Sequence, residues 1–585
     1  MLTAAQQLGG SLRGMGLHCG GIIITAEPIR DLVPVHPAAK TVDGRHLPAI
    51  AWEKDGAEAM GLIKIDLLGN RSLAVVRDVL NDLRDDGIAV DERRWAPDDD
   101  LLAVQLINRG CTIGCFYIES PAMRLLNGRA GEVDFDRLVL HSSIVRPAAY
   151  HWIGTYLERL WEHRRTGLQR DEWYPHPALR SLLSDSFGIL SYQEDVMLAA
   201  RDLAGFSIRE QNTLRKALGR SDTPQRLATL AGAFHAGCAR HGVSPEATAT
   251  AWSMIISFAG YSFCKAHSAS YAMVSFACAC LKAHNPAHFL ARVIHHGGGF
   301  YGICAYVEEA RRLGVAILPP CVAQGFPDTR REGHKAIRLG LELVHGLHRR
   351  TQHAIIAKRQ RMPFAGIRDL WCRCRPSAAE LAALCDAGAL DALARVPGQR
   401  DWIAAAVMHE PHGQIEEPDQ LRFDFAPARS DDPVPPPHCP APSRRDLDRR
   451  AWAVLGCLPR AHPFALWDLP ERRLRCAGIG PQLHRRTVSL LVWVITHKQV
   501  EAVQERQRDG TPLPEPLVRP MAFVTLEDET GLLESTWFPE SYQACGALTL
   551  AASPFWVHGR IMVEHGVATL EVSGARPLPP PRPER

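Results

Sequence analysis

The stretch Gly61-Leu62-Ile63-Lys64-Ile65-Asp66-Leu67-Leu68-Gly69 alternates apolar and polar side chains and ends at a glycine. Because strand side chains point to opposite faces with a period of two, it predicts a short strand. Its apolar side chains share one face, while Lys64 and Asp66 share the other, open face. Such a pair suits phosphoryl transfer, in which carboxylates hold Mg²⁺ and a lysine neutralises phosphate charge. A surface strand with an ordinary ion pair is the alternative interpretation.

The bulk composition indicates several domains and a reducing compartment. A chain of 585 residues with 46% hydrophobic residues is long enough for roughly three to five domains. The formal charge of +3 is too mild to identify a nucleic-acid partner. The 16 cysteines include no C-x-x-C pair, so we expect free thiols. We find no signal peptide and no membrane-length apolar run, and we expect a cytoplasmic protein without a membrane partner.

Two further stretches are predicted to be core elements. Residues 20–24, Gly-Gly-Ile-Ile-Ile, predict a buried strand that follows a glycine pair. Residues 114–120 predict a core strand and turn. After Asp66, apolar residues at helical spacing predict a helix over residues 73–83.

A basic helix end is predicted between residues 208 and 218. Ser207-Ile208-Arg209-Glu210 has the S-x-x-E form of a capping box, and Gly219 is typical of the residue that follows a helix. The cations at this end are Arg215, Lys216 and Arg220. They either compensate the helix dipole, which is worth about 0.3–1 kcal/mol, or bind an anion.

A junction between a loop and a helix carries further donors for phosphate. These residues are Lys265, His267 and Ser268, and we expect them to contact DNA. Capping and packing are the alternative roles of His267 and Ser268. Farther on, the adjacent His295 and His296 lack a third ligand at helical spacing, so the sequence predicts no metal site there.

Residues 305–395 read as helical, with a glycine turn at Val344-His345-Gly346-Leu347. That turn resembles a helix-hairpin-helix, a module that presents backbone amides to DNA phosphates. The resemblance implies that Gly346 contacts DNA. Any other two-helix turn is the alternative.

Several stretches resemble, in the same order, motifs of the bacterial C-family DNA polymerases, the DNA polymerase III alpha subunits. The end of the chain, with no tau-binding region after its last predicted strands, looks more like the error-prone type. The matching stretches are 17–24 and 64–73 in the palm, 114–120 and 144–147 in the palm and thumb return, and 188–197, 214–220 and 258–272 in the fingers. The resemblance implies that Asp66 is a catalytic carboxylate that binds Mg²⁺. It also implies that Lys64, Arg215 and Lys216 bind the nucleotide triphosphate. Lys216 stands where the family usually has arginine, and lysine lacks the bidentate fork of that side chain.

A composition shift marks residues 410–447, where Pro, Asp, Glu and Arg dominate and predict a disordered linker. Within it, Gln420-Leu421-Arg422-Phe423-Asp424-Phe425 is similar to the Q-x-x-L-x-F peptides that dock on the sliding clamp. The similarity implies clamp contacts by Gln420, Phe423 and Phe425.

Four apolar runs from residue 488 onward, with the hairpin signal Asp528-Glu529-Thr530-Gly531, predict a small barrel. It resembles the OB-fold near the end of C-family polymerases, a fold that binds single strands. Trp493 and Trp537 are either stacking platforms for bases or core residues.

The expected fold class is multidomain α+β, with a partial nucleotidyltransferase-like palm, helical fingers, a helix-hairpin-helix-type region and a C-terminal OB-fold barrel. The predicted domains are the rear palm (1–100), the thumb return and palm (101–175), the fingers (176–325), the helix-hairpin-helix-like DNA-binding region (326–409), the linker (410–447), the OB-fold region (448–576) and a tail (577–585).

The resemblance implies template-directed nucleotidyl transfer from deoxynucleoside triphosphates to a primer on template DNA. In the family, a P-D-x-D aspartate pair precedes the motif of Asp66, but the matching run here, Pro97-Asp98-Asp99-Asp100, follows it. We therefore expect the chain alone to lack two of three catalytic aspartates. A separate N-terminal polymerase half or error-prone accessory proteins are then expected partners. The alternative is a non-catalytic polymerase remnant that binds DNA and the clamp.

Overall fold

The structure is a computed structural model. It describes residues 16–42, 44–145, 150–218, 224–257, 264–394, 400–409, 432–434, 442–470, 474–506 and 512–578. The chain divides into an N-terminal unit, Met1–Arg71, and a C-terminal unit, Ser72–Arg585. Within the described ranges, no helix is both long and apolar enough to cross a bilayer.

Two antiparallel strand pairs and two short helices make up the described part of the N-terminal unit. In chain order they are β1 (Gly21–Ile24), α1 (Ile29–Leu32), β2 (Val35–Val42), β3 (Arg45–Ile50), α2 (Lys54–Ala59) and β4 (Ile63–Asp66). β1 pairs with β4, and β2 pairs with β3. The strand predicted around Lys64 is therefore confirmed, and its last residue, Asp66, lies opposite Gly21.

β1 is not the buried strand that its sequence predicts. Ile22 and Ile24 are 44% and 55% exposed, and their cross-strand partners Ile65 and Ile63 are 40% and 65% exposed. An apolar run indicates that its side chains favour burial, but they are buried only where another structural element packs on that face of the sheet. Within the described part of the N-terminal unit, no second layer covers this face.

The first part of the C-terminal unit is helical. Its helices are α3 (Arg71–Asp85), α4 (Leu101–Asn108), α5 (Pro121–Ala130), α6 (Phe135–Ile144), α7 (Tyr150–Thr166), α8 (Arg180–Leu183), α9 (Gln193–Ala204), α10 (Ile208–Leu218), α11 (Pro224–Arg240), α12 (Pro245–Ile256), α13 (Lys265–His284), α14 (Pro286–His296) and α15 (Ile303–Arg312). α3 confirms the helix predicted after Asp66, and it buries Val79, Leu80 and Leu83. These residues belong to one core that continues through α13 and α14.

Residues 114–120 do not form the predicted core strand. They are a loop of turns between α4 and α5, although Cys115 and Ile118 are fully buried. Lys282 of α13 holds the preceding segment by donating to two of its carbonyl oxygens at 2.7 and 2.8 Å. Buried apolar residues therefore do not distinguish a strand from a loop whose backbone is satisfied by side chains.

The sequence predicts that residues 305–395 are helical, but the structure shows that they are not helical throughout. A small sheet, in the order β5-β7-β6, interrupts the helices with β5 (Ala316–Leu318), β6 (Arg330–Glu332) and β7 (Ala336–Arg338). Strands of three residues are too short to show a period-two pattern. The helices that follow are α16 (Arg349–Arg361), α17 (Ile367–Cys374), α18 (Ala378–Asp386), α19 (Arg400–Met408) and α20 (Arg444–Leu455).

The predicted disordered linker has ordered parts. The Asp432 carboxylate accepts the backbone N–H groups of Ile367 and Arg368 at 3.1 and 2.8 Å, at the start of α17. α20 begins at Arg444, inside the range predicted as linker. The clamp-peptide residues Gln420, Phe423 and Phe425 lie outside the described residues.

The C-terminal unit ends in a closed five-stranded barrel. Its strands are β8 (Thr487–Arg506), β9 (Pro512–Asp528), β10 (Gly531–Trp537), β11 (Phe555–Glu564) and β12 (Val567–Pro577), and α21 (Pro539–Cys545) follows β10. The strand order around the barrel is β10-β12-β11-β8-β9. The sequence predicts four of these five strands and misses β12.

The predicted hairpin between β9 and β10 is confirmed. Asp528 closes it, because its Oδ1 accepts the N–H groups of Thr530 and Gly531 at 2.7 and 3.2 Å. Trp537 is fully buried in the barrel core, so it is not a stacking platform. Trp493 packs against two other tryptophans, with ring centroids 5.6 and 5.7 Å apart.

Candidate functional site

Lys64 and Asp66 share one face of β4, and the Lys64 ammonium donates a hydrogen bond to Asp66 Oδ1. His18 Nδ1 lies 3.8 Å from the same oxygen. The hydrogen bond from Lys64 lowers the pKa of Asp66, and the nearby charges of Lys64 and His18 act in the same direction. The Asp66 side chain is 47% exposed. The N-terminal unit thus presents an ionised, accessible carboxylate beside two basic groups.

Gly20 and Gly21, at the start of β1, are required because other groups of the site lie very close to their backbone. A Cβ atom on Gly20 would lie 2.4 Å from the carbonyl oxygen of Leu67. A Cβ atom on Gly21 would lie 2.9 Å from His18 Nδ1 and 3.0 Å from Lys64 Cε. Since real Cβ atoms are not found so close to backbone, any side chain at Gly20 would displace the end of β4. These two glycines are site residues that the sequence suggests only as a strand entrance.

The Asp66 carboxylate fits one ligand position of a Mg²⁺ site. Mg²⁺ prefers hard oxygen ligands, and it is commonly held by one or two carboxylates together with substrate phosphates and waters. In the described part of this unit, Lys64 and His18 both contact Oδ1 of Asp66, which leaves Oδ2 for a cation. The lowered pKa keeps both oxygens unprotonated at neutral pH.

Arg215 and Lys216 lie in the last turn of α10. The predicted capping box begins this helix, because Glu210 accepts the N–H of Ser207 at 2.8 Å and Ser207 Oγ accepts the N–H of Glu210 at 3.4 Å. Lys216 is exposed and Arg215 is half-buried. Among the residues that the structure describes, neither cation has a carboxylate partner, so both remain available to an anion. Gly219 and Arg220 lie outside the described residues.

The start of α13 brings two separate sequence motifs together. The backbone N–H of Lys265 donates to Glu194 Oε2 at 3.1 Å, and the Lys265 ammonium lies 5.3 Å from the Tyr192 ring centroid. This N–H is therefore satisfied by a protein carboxylate, while the exposed ammonium stays accessible to a phosphate. His267 is half-buried, and its ring centroid lies 4.0 Å from that of Tyr271.

Ser268 is not placed to contact DNA. Its side chain is fully buried, and its hydroxyl shares a hydrogen bond of 2.8 Å with the Ser143 hydroxyl of α6. The packing alternative therefore holds for Ser268. The first turn of a helix offers both inward and outward positions, and the local sequence does not say which position faces the core.

Gly346 lies at an exposed turn with φ +88°. The turn follows a 3₁₀ helix, Leu341–Leu343, and precedes α16. Val344 and Leu347 on either side are buried, which fixes the turn to the core and leaves the glycine at the surface. A positive φ favours glycine at this position.

The sequence analysis missed the residues that hold the 114–120 loop and the segment directly before it. Lys282 is 1% exposed and pairs with Glu309 at 2.7 Å. Glu119 accepts the N–H groups of Gly114 and Phe300 at 2.8 and 2.6 Å, and its burial raises its pKa. The feature of the sequence that could have indicated these contacts is Lys282, a charged residue near the end of a helix rich in alanine and other apolar residues.

Three family models match the chain in order. The "Bacterial DNA polymerase III alpha NTPase domain" matches residues 1–69. The "Bacterial DNA polymerase III alpha subunit finger domain" matches residues 72–242. A "Helix-hairpin-helix motif" matches residues 314–399. The boundary between the first two matches coincides with the boundary between the two structural units.

Curated relatives support the same assignment. The chain is 30% identical to an error-prone DNA polymerase of Anaeromyxobacter dehalogenans over 99% of its own length and 50% of the relative. It is 30% identical to one from Corynebacterium efficiens over 99% of its length and 51% of the relative, and 31% identical to one from Alkalilimnicola ehrlichii over 98% and 53%. The chain therefore spans about half the length of the curated relatives it matches. By these matches, residues 1–69 and 72–242 are similar to domains of bacterial DNA polymerase III alpha subunits, and the chain as a whole is similar to about half of the error-prone DNA polymerases.

Proposed function

We propose that this chain takes part in DNA-directed DNA synthesis of the error-prone type, with primer-template DNA and deoxynucleoside triphosphates as substrates. One observation carries the proposal. Lys64 and Asp66 lie side by side on an accessible strand face within the residues that match the alpha NTPase domain. The finger-domain match then follows in the order that a polymerase of this family requires.

Each candidate residue has a role that its surroundings support. Asp66 would hold Mg²⁺, which when bound supplies positive charge to the transferred phosphoryl group. Lys64 would neutralise a phosphate oxygen, and Arg215 and Lys216 would hold the triphosphate as two cations without acidic partners among the described residues. Because two-metal chemistry needs more than one carboxylate, we propose that Asp66 acts together with carboxylates from outside the described residues.

DNA contacts are proposed for the C-terminal unit. Gly346 would present backbone amides to DNA phosphates. The Lys265 ammonium and His267 would contact other phosphates of the DNA backbone. The five-stranded barrel, with β10 parallel to β12, is proposed to be an OB-fold that binds single-stranded DNA. Clamp binding through Gln420, Phe423 and Phe425, and a cytoplasmic location, stay predictions.

Primer extension with Mg²⁺ and four deoxynucleoside triphosphates tests the catalytic role of Asp66. The variant is Asp66→Asn, and the matched control is Asp31→Asn, which removes another exposed carboxylate of the same unit. A gel shift on the same primer-template runs beside each reaction. Any extension by the parent should be shared by D31N and should fall at least about 100-fold in D66N, because a metal ligand is removed.

Two outcomes would contradict this proposal in different ways. Equal extension by D66N and the parent would remove Asp66 from the catalytic site. DNA binding by every variant with no extension by the parent would support the alternative, a DNA-binding portion that does not polymerise by itself.

A further inference from the structure

A ladder of ion pairs joins α3 to α14 in the C-terminal unit. Asp86 pairs with His288 at 2.9 Å, and Asp82 receives two hydrogen bonds from Arg292 at 2.6 and 2.7 Å. Asp82 lies on α3 and Asp86 directly follows the last residue of that helix, while His288 and Arg292 stand four residues apart on α14, so the two ion pairs join neighbouring segments. Ordinary charge pairing explains these two rungs.

The third ion pair between these helices differs, because it has a second histidine beside it. Asp78 pairs with His296 at 2.8 Å, but a second imidazole, that of His295, lies beside the first with ring centroids 4.7 Å apart. One ligand atom from each of Asp78, His295 and His296 lies within 4.8 Å of the other two. Two adjacent imidazoles repel each other when both are protonated, whereas a divalent cation can bind both through their neutral nitrogens.

A further carboxylate orients the second imidazole. His295 Nδ1 donates to Glu342 Oε1 at 2.7 Å, and the same oxygen accepts the N–H of Thr329 at 3.2 Å. With its proton on Nδ1, His295 has its Nε2 lone pair free for a metal. A carboxylate behind a metal-binding histidine is the usual arrangement that fixes the tautomer and the ring orientation.

From this geometry we propose that Asp78, His295 and His296 bind a divalent transition metal of the zinc type, with Glu342 as a positioning residue. Two nitrogens and one carboxylate oxygen form a ligand set suited to Zn²⁺, with a fourth position open to water. Ligands about 2.0–2.2 Å from zinc lie roughly 3.4 Å apart. On binding, the hydrogen bond of 2.8 Å between His296 and Asp78 would therefore open, and the longer separations, which are at most 4.8 Å, would shorten. The side chains are 19–34% exposed, which allows the ion to enter.

The site would fasten three separate segments: α3, the end of α14 and the 3₁₀ turn Leu341–Leu343 that carries Glu342. The sequence missed this site because Asp78 lies on another helix, far from the two histidines along the chain. This inference is independent of the proposed polymerase function.

Another cluster in the described part of the chain, Asp100, Cys280 and His284, is less suited to a metal. Asp100 already caps α4 through the N–H of Ala103 at 2.8 Å. Burial raises the pKa of Cys280, which disfavours the thiolate that a metal needs.

The test uses the full chain, freed of metal with a chelator and titrated with Zn²⁺ against a chromophoric competitor. We expect one bound equivalent that is lost in His295→Ala and in Asp78→Asn. Glu342→Gln should bind roughly 10–100-fold more weakly, because only the positioning carboxylate changes. The matched control is His288→Gln, which removes another imidazole of α14 that pairs with Asp86, directly after α3, and this variant should still bind one equivalent of Zn²⁺.

A second measurement separates this site from thiol sites. Co²⁺ bound at Asp78, His295 and His296 should give a visible spectrum without a thiolate charge-transfer band, and Cys280→Ser should leave it unchanged. Unchanged zinc binding in H295A would overturn the proposal. It would also fail if E342Q, which keeps the shape of the side chain, bound as tightly as the parent, or if C280S removed the metal.

Discussion

Replacing Lys282 by methionine should loosen the core of the C-terminal unit. The Lys282 ammonium is 1% exposed and donates to the carbonyl oxygens of Cys111 and Ile113 at 2.7 and 2.8 Å. It also donates to Glu309 Oε1 at 2.7 Å. Methionine fills a similar volume without donors, so K282M leaves two carbonyls and one carboxylate oxygen without this partner.

The magnitude follows from burial. Removing one partner of a buried ion pair costs about 3–5 kcal/mol, because the remaining charge is left uncompensated. Arg312 still donates to Glu309 at 3.1 and 3.2 Å, which favours the lower half of that range. The two carbonyls add to the cost, since an unsatisfied buried acceptor loses about 1–3 kcal/mol. We therefore expect a loss of about 3–5 kcal/mol in the free energy of opening around α13.

Hydrogen exchange is the suitable assay, because a chain of two units need not unfold in one step. Amides of α13 and of the 111–120 loop should exchange roughly 100- to 5000-fold faster in K282M, at 1.4 kcal/mol for each factor of ten. Lys358→Met is the control, because Lys358 is exposed, and it should leave exchange unchanged.

The double variant K282M/E309Q adds a sharper check. Removing the carboxylate as well removes the uncompensated charge, so part of the lost protection should return. An effect of K282M below about 1 kcal/mol would refute the reasoning, because that magnitude is typical of a solvated surface pair.

Three further predictions concern pH, a close backbone approach and a helix cap. Burial lowers the pKa of His141 from 6.5 to about 3, so the unfolded state binds more protons below pH 6.5. The contribution of His141 to stability should therefore fall by about 1.4 kcal/mol for each pH unit below 6.5 down to about pH 3, and His141→Gln should remove this contribution from acid unfolding curves. Gly20→Ala should destabilise β1 and β4 by about 1–3 kcal/mol because its Cβ would meet the Leu67 carbonyl at 2.4 Å, whereas Gly69→Ala, with nothing within 4 Å, should not, as read from local hydrogen exchange. Ser207→Ala should cost about 0.5–2 kcal/mol through the lost capping box, and unchanged protection of α10 would contradict this.

Features set by near neighbours could be predicted from the sequence. The shared face of Lys64 and Asp66 follows from the period of a strand, and both side chains are joined by a hydrogen bond in the structure. The cap of α10 depends on Ser207 and Glu210, three residues apart, and the β9–β10 hairpin depends on Asp528 and its next three residues. In each case the interacting groups lie within one turn of backbone, so their residue types suffice.

The sequence by itself therefore determined the local geometry of the Lys64 and Asp66 face, the basic end of α10, the hairpin and the order of the family motifs. Only the tertiary structure decided that Ser268 is buried against Ser143, and that residues 114–120 form a loop whose preceding segment is held by Lys282. It also joined Asp78 to His295 and His296. The physical reason is that burial and long-range pairing depend on which distant segments pack together. The type of a residue states which interactions its side chain can form, but not which residues surround it in the folded chain.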